Sequence, residues 1–249
     1  MRRKGKPLNT VLFDLDGTLV QHSHVLLPPI LAEWGEARTL DAVTDAFARQ
    51  ILWFYDHVAD AELHGWVKTL WIRFYGHVLD DLGIPDTDHS RATWIYAFFE
   101  ENPVPPLYPD VPEVLTSLSS AGWKMGIITQ RSRAGACRFL TSHDLLARFP
   151  VVIAGDDGHG RKPDAAPFLT ALDKLDTPPD KAVFVGDRID DDCEGALSAG
   201  LGAFLIDREG LHSHVDHTDA GYTALNHLSD LLGHLPLSAA QPQPTALRP

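Results

Sequence analysis

The chain has 249 residues, 44% of them hydrophobic and 22% charged, enough to build one large domain or a domain carrying an insertion, and inconsistent with a disordered polymer. Its 34 acids against 21 bases leave a formal net charge of −13, an average that repels nucleic acid and anionic membranes but permits a local basic pocket for a small phosphate. No apolar run approaches the roughly 18 residues of a transmembrane helix, and two cysteines, Cys137 and Cys193, suit free thiols in a reducing cytoplasm.

Residues 1–8 read as a disordered basic lead with Arg2, Arg3, Lys4 and Lys6; the apolar stretch beyond holds Asp14 and Asp16, so it is no signal core. Thr10–Phe13 has strand character and ends at Asp14. Residues 21–105 change rhythm. Leu40, Val43, Phe47, Ile51, Phe54 and Val58 recur at helical spacing, as do Leu63, Val67, Leu70, Phe74 and Val78 up to Gly83, and a shorter helix covers Arg91–Phe99. A proline-rich stretch with Pro103, Pro105, Pro106 and Pro109 closes this block.

Strands and helices then alternate. Pro112–Ser120 predicts a helix closed at Gly122, Lys124–Ile128 a strand ending at Thr129, and Ala134–Leu140 a helix. Val151–Ala154 predicts a strand, Pro167–Leu175 a helix, Ala182–Val185 a strand ending at Gly186–Asp187 and Cys193–Ala199 a helix closed at Gly200. Gly202–Ile206 is the last predicted strand, and residues 236–249 read as a disordered tail. Short unbroken β-rich runs between helices predict a doubly wound, Rossmann-like parallel sheet. The expected organisation is an α/β core domain of residues 9–20 and 106–235 with a smaller all-helical cap domain at 21–105.

Ligands of open parallel sheets bind beyond the carboxyl ends of the strands. Asp14, Asp16, Thr129 and Asp187 all fall there. Carboxylates gathered so closely repel one another unless a cation joins them, and magnesium, hard and oxygen-seeking, suits the set.

VLFDLDGTLV at 11–20 resembles the first motif of the haloacid dehalogenase superfamily. GIIT at 126–129 resembles the second motif, Lys162 in GRKPDAAPF the third, and VFVGDRIDDDCEGALSAG at 183–200 the fourth. The resemblance covers roughly residues 9–235 and implies a magnesium-dependent phosphatase acting on a small phosphorylated metabolite. Asp14 would be the nucleophile and Asp16 the general acid and base. Thr129 and Lys162 would hold the phosphoryl group. Magnesium would be bound by Asp14, the Asp16 carbonyl, Asp187 and one acid of Asp190–Asp192; the following CEGALSAG favours Asp192, with Asp191 in reserve. Gln130 departs from the Asn common in phosphatase members.

Among the alternatives, a haloacid dehalogenase needs no acid at position 16, a phosphomutase shares all four motifs, and a non-catalytic binding module would not need the full set. Thirteen histidines include His22 and His24 beyond the first motif and a loop cluster of His212, His214 and His217; no complete ligand set accompanies either group, so a structural role is expected, with a ring of His22 or His24 facing the substrate as the alternative for that pair. Trp53, Trp66, Trp71 and Trp94 are expected in the cap core, with stacking on a nucleobase as the alternative, and Arg131, Arg133, Arg161 and Arg188 as surface or supporting cations, with attraction of an anionic substrate as the alternative. The sequence leaves the natural substrate and the oligomeric state open.

Overall fold

A computed structural model describes residues 8–101, 105–208, 210, 212 and 215–237. The basic lead up to residue 7, the tail from 238, Pro103 and His214 lie outside the described residues. The chain divides into two compact units, one formed by Gln21–Pro106 and the other by the residues on either side of it.

Strand β1 (Thr10–Phe13) opens the α/β unit with every residue buried. The helical unit begins with a single turn at Ser23–Leu26 and α1 (Leu27–Glu33). Apolar spacing does not reveal α1, because Pro28 and Pro29 read as breakers; they sit in its first turn, where a missing N–H breaks no intrahelical bond. Helices α2 (Leu40–His64) and α3 (Val67–Asp81) follow. Leu63, expected to open the second helical run, instead belongs to the end of α2, and the break falls at Gly65–Trp66.

Aromatic packing joins α2 to α3, with Phe47 and Phe74 centroids 5.2 Å apart and Phe54 and Trp71 4.1 Å apart. Burying each phenylalanine stabilises this unit by roughly 1.5–3 kcal/mol. Helix α4 (Ser90–Glu101) is anchored by Asp86, whose carboxylate accepts the Arg91 and Ala92 N–H groups, each at 2.9 Å. Trp94 on α4 is 43% exposed, which corrects its assignment to the core. His24 is buried, its ring 4.5 Å from Phe47. Burial, and then the neighbouring His22, lower its pKa to about 3, so it is a neutral packing residue near neutral pH.

The α/β unit resumes with α5 (Val111–Ser120), β2 (Lys124–Ile128), α6 (Arg133–Ser142) and β3 (Val151–Ile153). Helix α7 (Ala165–Lys174) and β4 (Ala182–Gly186) lead to a π-helical turn at Ile189–Glu194 and then α8 (Gly195–Ser198). The expected helix at Cys193–Ala199 is therefore two pieces, a widened turn and a short α-segment. Strands β5 (Gly202–Ile206) and β6 (Thr223–Leu225) and helix α9 (Leu231–His234) end the unit.

The six strands lie in the order β3-β2-β1-β4-β5-β6, all pairs parallel. β1 is central, with Phe13 in register with Ile127 of β2 and Val185 of β4. Asp14 thus leaves the sheet on the same edge as Thr129 and Asp187, next to the point between β1 and β4 where the strand order reverses. One core cluster includes Leu12, Ile128, Phe168, Phe184 and Leu205, with Phe168 edge-on to Phe184 at 5.0 Å. Strand β6 escapes the sequence reading because it has three residues at the sheet margin, two of them exposed.

Candidate active site

The Asp14 N–H donates to the Val185 carbonyl at 2.9 Å, which carries the β1–β4 pairing one residue past the strand and fixes the Asp14 backbone. Three residues on, Gly17 turns the chain with φ of 75°, a conformation suited to glycine, and its N–H returns to the Val20 carbonyl at 2.8 Å. Thr129 is held in the same way at the end of β2, its N–H bonded to Ile153 at 2.9 Å.

Asp14 and Lys162 are each 6% exposed and Asp192 is 1% exposed. The Lys162 ammonium lies 2.5 Å from Asp14 Oδ1 and 2.5 Å from Asp192 Oδ1. Asp14, Asp187 and Asp192 each place a carboxylate oxygen within 4.8 Å of the others.

Of the consecutive acids Asp190, Asp191 and Asp192, the last is the one that joins Asp14 and Asp187. Arg188 grips Asp190 at 2.7 Å through one terminal nitrogen and Asp191 at 2.8 Å through the other. The π-helical turn carries Asp192 inward, where Oδ2 accepts the Arg188 N–H at 3.0 Å and Oδ1 meets Lys162. Gly186 makes room for it: a Cβ there would lie 2.2 Å from Asp192 Oδ2. Asp187 is braced from behind by His212, whose Nε2–H donates to the Asp187 carbonyl at 2.9 Å. His212 thus has a supporting contact that its place in a histidine-rich loop does not disclose.

Burial raises the Asp14 carboxyl well above the usual range; Lys162 opposes this, and Asp192, Asp187 and Asp16 add to it. Burial also works against the Lys162 charge, but Asp14 and then Asp192 outweigh it and hold the ammonium above its ordinary value. One ammonium therefore stands among three close carboxylates. Oxygen donors, close spacing and surplus negative charge together fit a divalent cation, which would favour the ionised form of Asp14.

Two contacts escape sequence reasoning. The Gln130 amide donates to the Lys162 carbonyl at 2.9 Å and accepts from Arg161 at 3.1 Å, so the residue that departs from the common Asn braces the lysine segment. Arg131, expected as a surface or supporting cation, clasps Asp16 through two nitrogens, Nε to Oδ2 at 2.7 Å and Nη2 to Oδ1 at 2.5 Å. The Asp16 side chain thus points to a different partner from the cluster around Lys162. His22 and His24 lie in the helical unit.

The parallel sheet with acids gathered at its strand ends defines a doubly wound α/β protein with an acidic site. The chain belongs to the haloacid dehalogenase-like hydrolase family, whose family model matches residues 8–200. It is 27% identical over 208 residues to phosphoglycolate phosphatase of Nitrosospira multiformis, covering 80% of this chain and 83% of that one. Its fold matches a Bacillus subtilis hydrolase of the same superfamily, solved bound to magnesium, with a TM-score of 0.68 at 17% identity, covering 93% and 100% of the two chains. A 2-haloacid dehalogenase of Pseudomonas syringae matches with a TM-score of 0.57 at 23% identity, covering 91% and 97%. These two likenesses show the fold. Among the described residues no helix is long and apolar enough to cross a membrane.

Proposed function

We propose that this hydrolase is a magnesium-dependent phosphatase that cleaves a small phosphate monoester through an aspartyl-phosphate on Asp14. The observation that carries the reading is the buried trio of Asp14, Lys162 and Asp192 beside Asp187, with a further carboxyl two residues after Asp14. Asp14, Asp187 and Asp192 would hold the magnesium ion, together with the Asp16 carbonyl. Bound there, magnesium supplies positive charge to the phosphoryl oxygens.

The Asp14 carboxylate attacks phosphorus in line, forming a P–O bond as the bond to the leaving oxygen breaks. Asp16 gives that oxygen a proton, and the alcohol departs. Asp16 then takes a proton from the water that attacks the aspartyl-phosphate, which restores Asp14 and frees inorganic phosphate. Thr129 and Lys162 hydrogen-bond the phosphoryl oxygens throughout. Attack on carbon, as in a dehalogenase, leaves Asp16 without a task.

The phosphoglycolate phosphatase relatives support a short acidic ester, and phosphoglycolate is the first substrate to try. Residues 21–106 serve in this reading as a cap that selects the leaving group. The two free cysteines, one buried, support a reducing cytoplasm as the site of action. The test is a magnesium-dependent assay on phosphoglycolate, sugar phosphates, nucleoside monophosphates and ethyl phosphate. Asp14→Asn is expected to lose about 10³-fold or more in turnover while keeping its circular dichroism. Full activity in chelator, or chloride release from a 2-haloacid, overturns the proposal.

A further inference from the structure

The cations around the acidic edge are engaged in different ways. Arg133 bonds Asp157 and the Val152 carbonyl, Arg161 bonds Gln130, and Arg188 bonds Asp190 and Asp191. Each of these contacts braces a loop. Arg131 instead reaches across 115 positions of sequence to the carboxylate two residues beyond Asp14. Its backbone does not move with it, because its N–H bonds Thr129 Oγ1 at 3.2 Å and its carbonyl accepts the Gly155 N–H at 2.8 Å. The guanidinium and carboxylate are about one-third exposed, at 33% and 31%. A fixed base and a solvent-facing fork allow a change of partner.

Such a change serves Asp16 in the role proposed above, a reading on which this inference rests. Each Asp16 oxygen accepts one bond from the Arg131 fork, so the carboxylate is turned toward Arg131, and release of the fork lets it turn toward a leaving group. The phosphoryl oxygens have Thr129 and Lys162 to receive them. What the fork is shaped for is visible in what it holds: a planar, two-oxygen anion gripped in parallel.

We propose that Arg131 exchanges the Asp16 carboxylate for a carboxylate carried by the substrate. One event would then seat the leaving group and free Asp16. Arg131 is in this way a specificity-determining residue, and the preferred substrates are small phosphate monoesters bearing a carboxylate on the alcohol side.

Two phosphonates that cannot be hydrolysed separate binding from turnover. Phosphonoacetate carries a carboxylate beside its phosphonate, and methylphosphonate lacks one. Titration calorimetry of the magnesium-loaded full chain is expected to show phosphonoacetate binding about tenfold or more tightly in wild type. In Arg131→Gln the two affinities should come within about twofold, with Arg131→Lys between, as expected of a charge without a fork. The kcat/KM ratio of carboxylated to neutral alkyl phosphates should fall by about tenfold in Arg131→Gln. A merely structural role lowers both affinities alike and leaves the ratio unchanged, and that result overturns the proposal. So does equal binding of the two phosphonates by wild type. Should wild type prefer phosphonoacetate through Arg131 yet hydrolyse no ester, the phosphatase reading falls and the anion receptor stands.

Discussion

Gly186 and Asp192 share a space that admits only one side chain, since a Cβ at Gly186 would lie 2.2 Å from the Asp192 carboxylate. The glycine at the end of β4 is thus the condition for Asp192 to reach Lys162. Gly186→Ala should push Asp192 out of the cluster. We expect turnover to fall about 10²-fold and magnesium affinity about 10-fold or more. Metal titration and steady-state kinetics on a folded variant check it, and affinity equal to wild type would separate Asp192 from the metal site.

Lys162 holds two buried carboxylates and is 3% exposed at its side chain. Lys162→Met removes the cation and leaves both acids in place. Breaking a buried pair in this way costs about 3–5 kcal/mol. Urea unfolding in chelator should show that loss, and adding Asp192→Asn to the variant should recover part of it. Equal stability of Lys162→Met and wild type would mean that the acids are already neutral.

Burial raises Asp191 to about 6, with Arg188 opposing and Asp190 and Asp192 reinforcing. A carboxyl raised in the folded state binds its proton more tightly there than in the unfolded chain. Its stabilising share is complete below about pH 4, the unfolded value, and is lost as pH climbs through the folded value. Asp191→Asn removes that dependence. In chelator, the variant should gain stability relative to wild type as pH rises from about 4 to above 6. Paired thermal melts across this window measure the difference; a flat difference, or one of opposite slope, rejects the assignment.

The strand ends are legible in the sequence because buried parallel strands leave short, unbroken apolar runs, and Asp14, Thr129 and Asp187 follow such runs directly. Periodicity does not identify the acid of the inner cluster, and Asp192 is favoured over Asp191 only through the resemblance of the CEGALSAG that follows. Three consecutive aspartates have no periodicity to separate them, and the outcome depends on the Arg188 fork and a widened turn. The partners of Asp16 and Thr18 are equally hidden, since Arg131 and Arg208 lie 115 and 190 positions away and only the folded chain brings them together. The helix at Leu27–Glu33 is masked by its own prolines, which mark a helix start as readily as a break.

Arg208 carries the last prediction. Its guanidinium lies 3.9 Å from the centre of the Tyr108 ring, donates to both Asp110 oxygens at 3.2 and 3.0 Å, and donates to the Thr18 carbonyl at 3.1 Å. Asp110 also accepts the Leu228 N–H at 2.7 Å. One side chain therefore ties the turn after Asp16, the segment where the chain re-enters the sheet unit, and the C-terminal helical turn. At 8% exposure, with Asp110 at 19%, the pair is shielded enough to matter. Arg208→Ala should destabilise the protein by about 2–4 kcal/mol, since it removes charge-assisted bonds and strands a shielded carboxylate. Burial raises the Asp110 carboxyl, but Arg208 and the backbone donors outweigh it and hold it below the usual range. A depressed folded pKa gives stability that is present above the unfolded value, about 4, and is lost as pH falls through the folded one. The penalty of Arg208→Ala should therefore be largest near neutral pH and shrink in acid. Asp110→Asn alone should lose less than Arg208→Ala, because the Tyr108 and Thr18 contacts remain. A double-mutant cycle followed by urea unfolding at two pH values measures the coupling; additive single effects, or a penalty that grows in acid, would show that Arg208 does not stabilise the turn through Asp110.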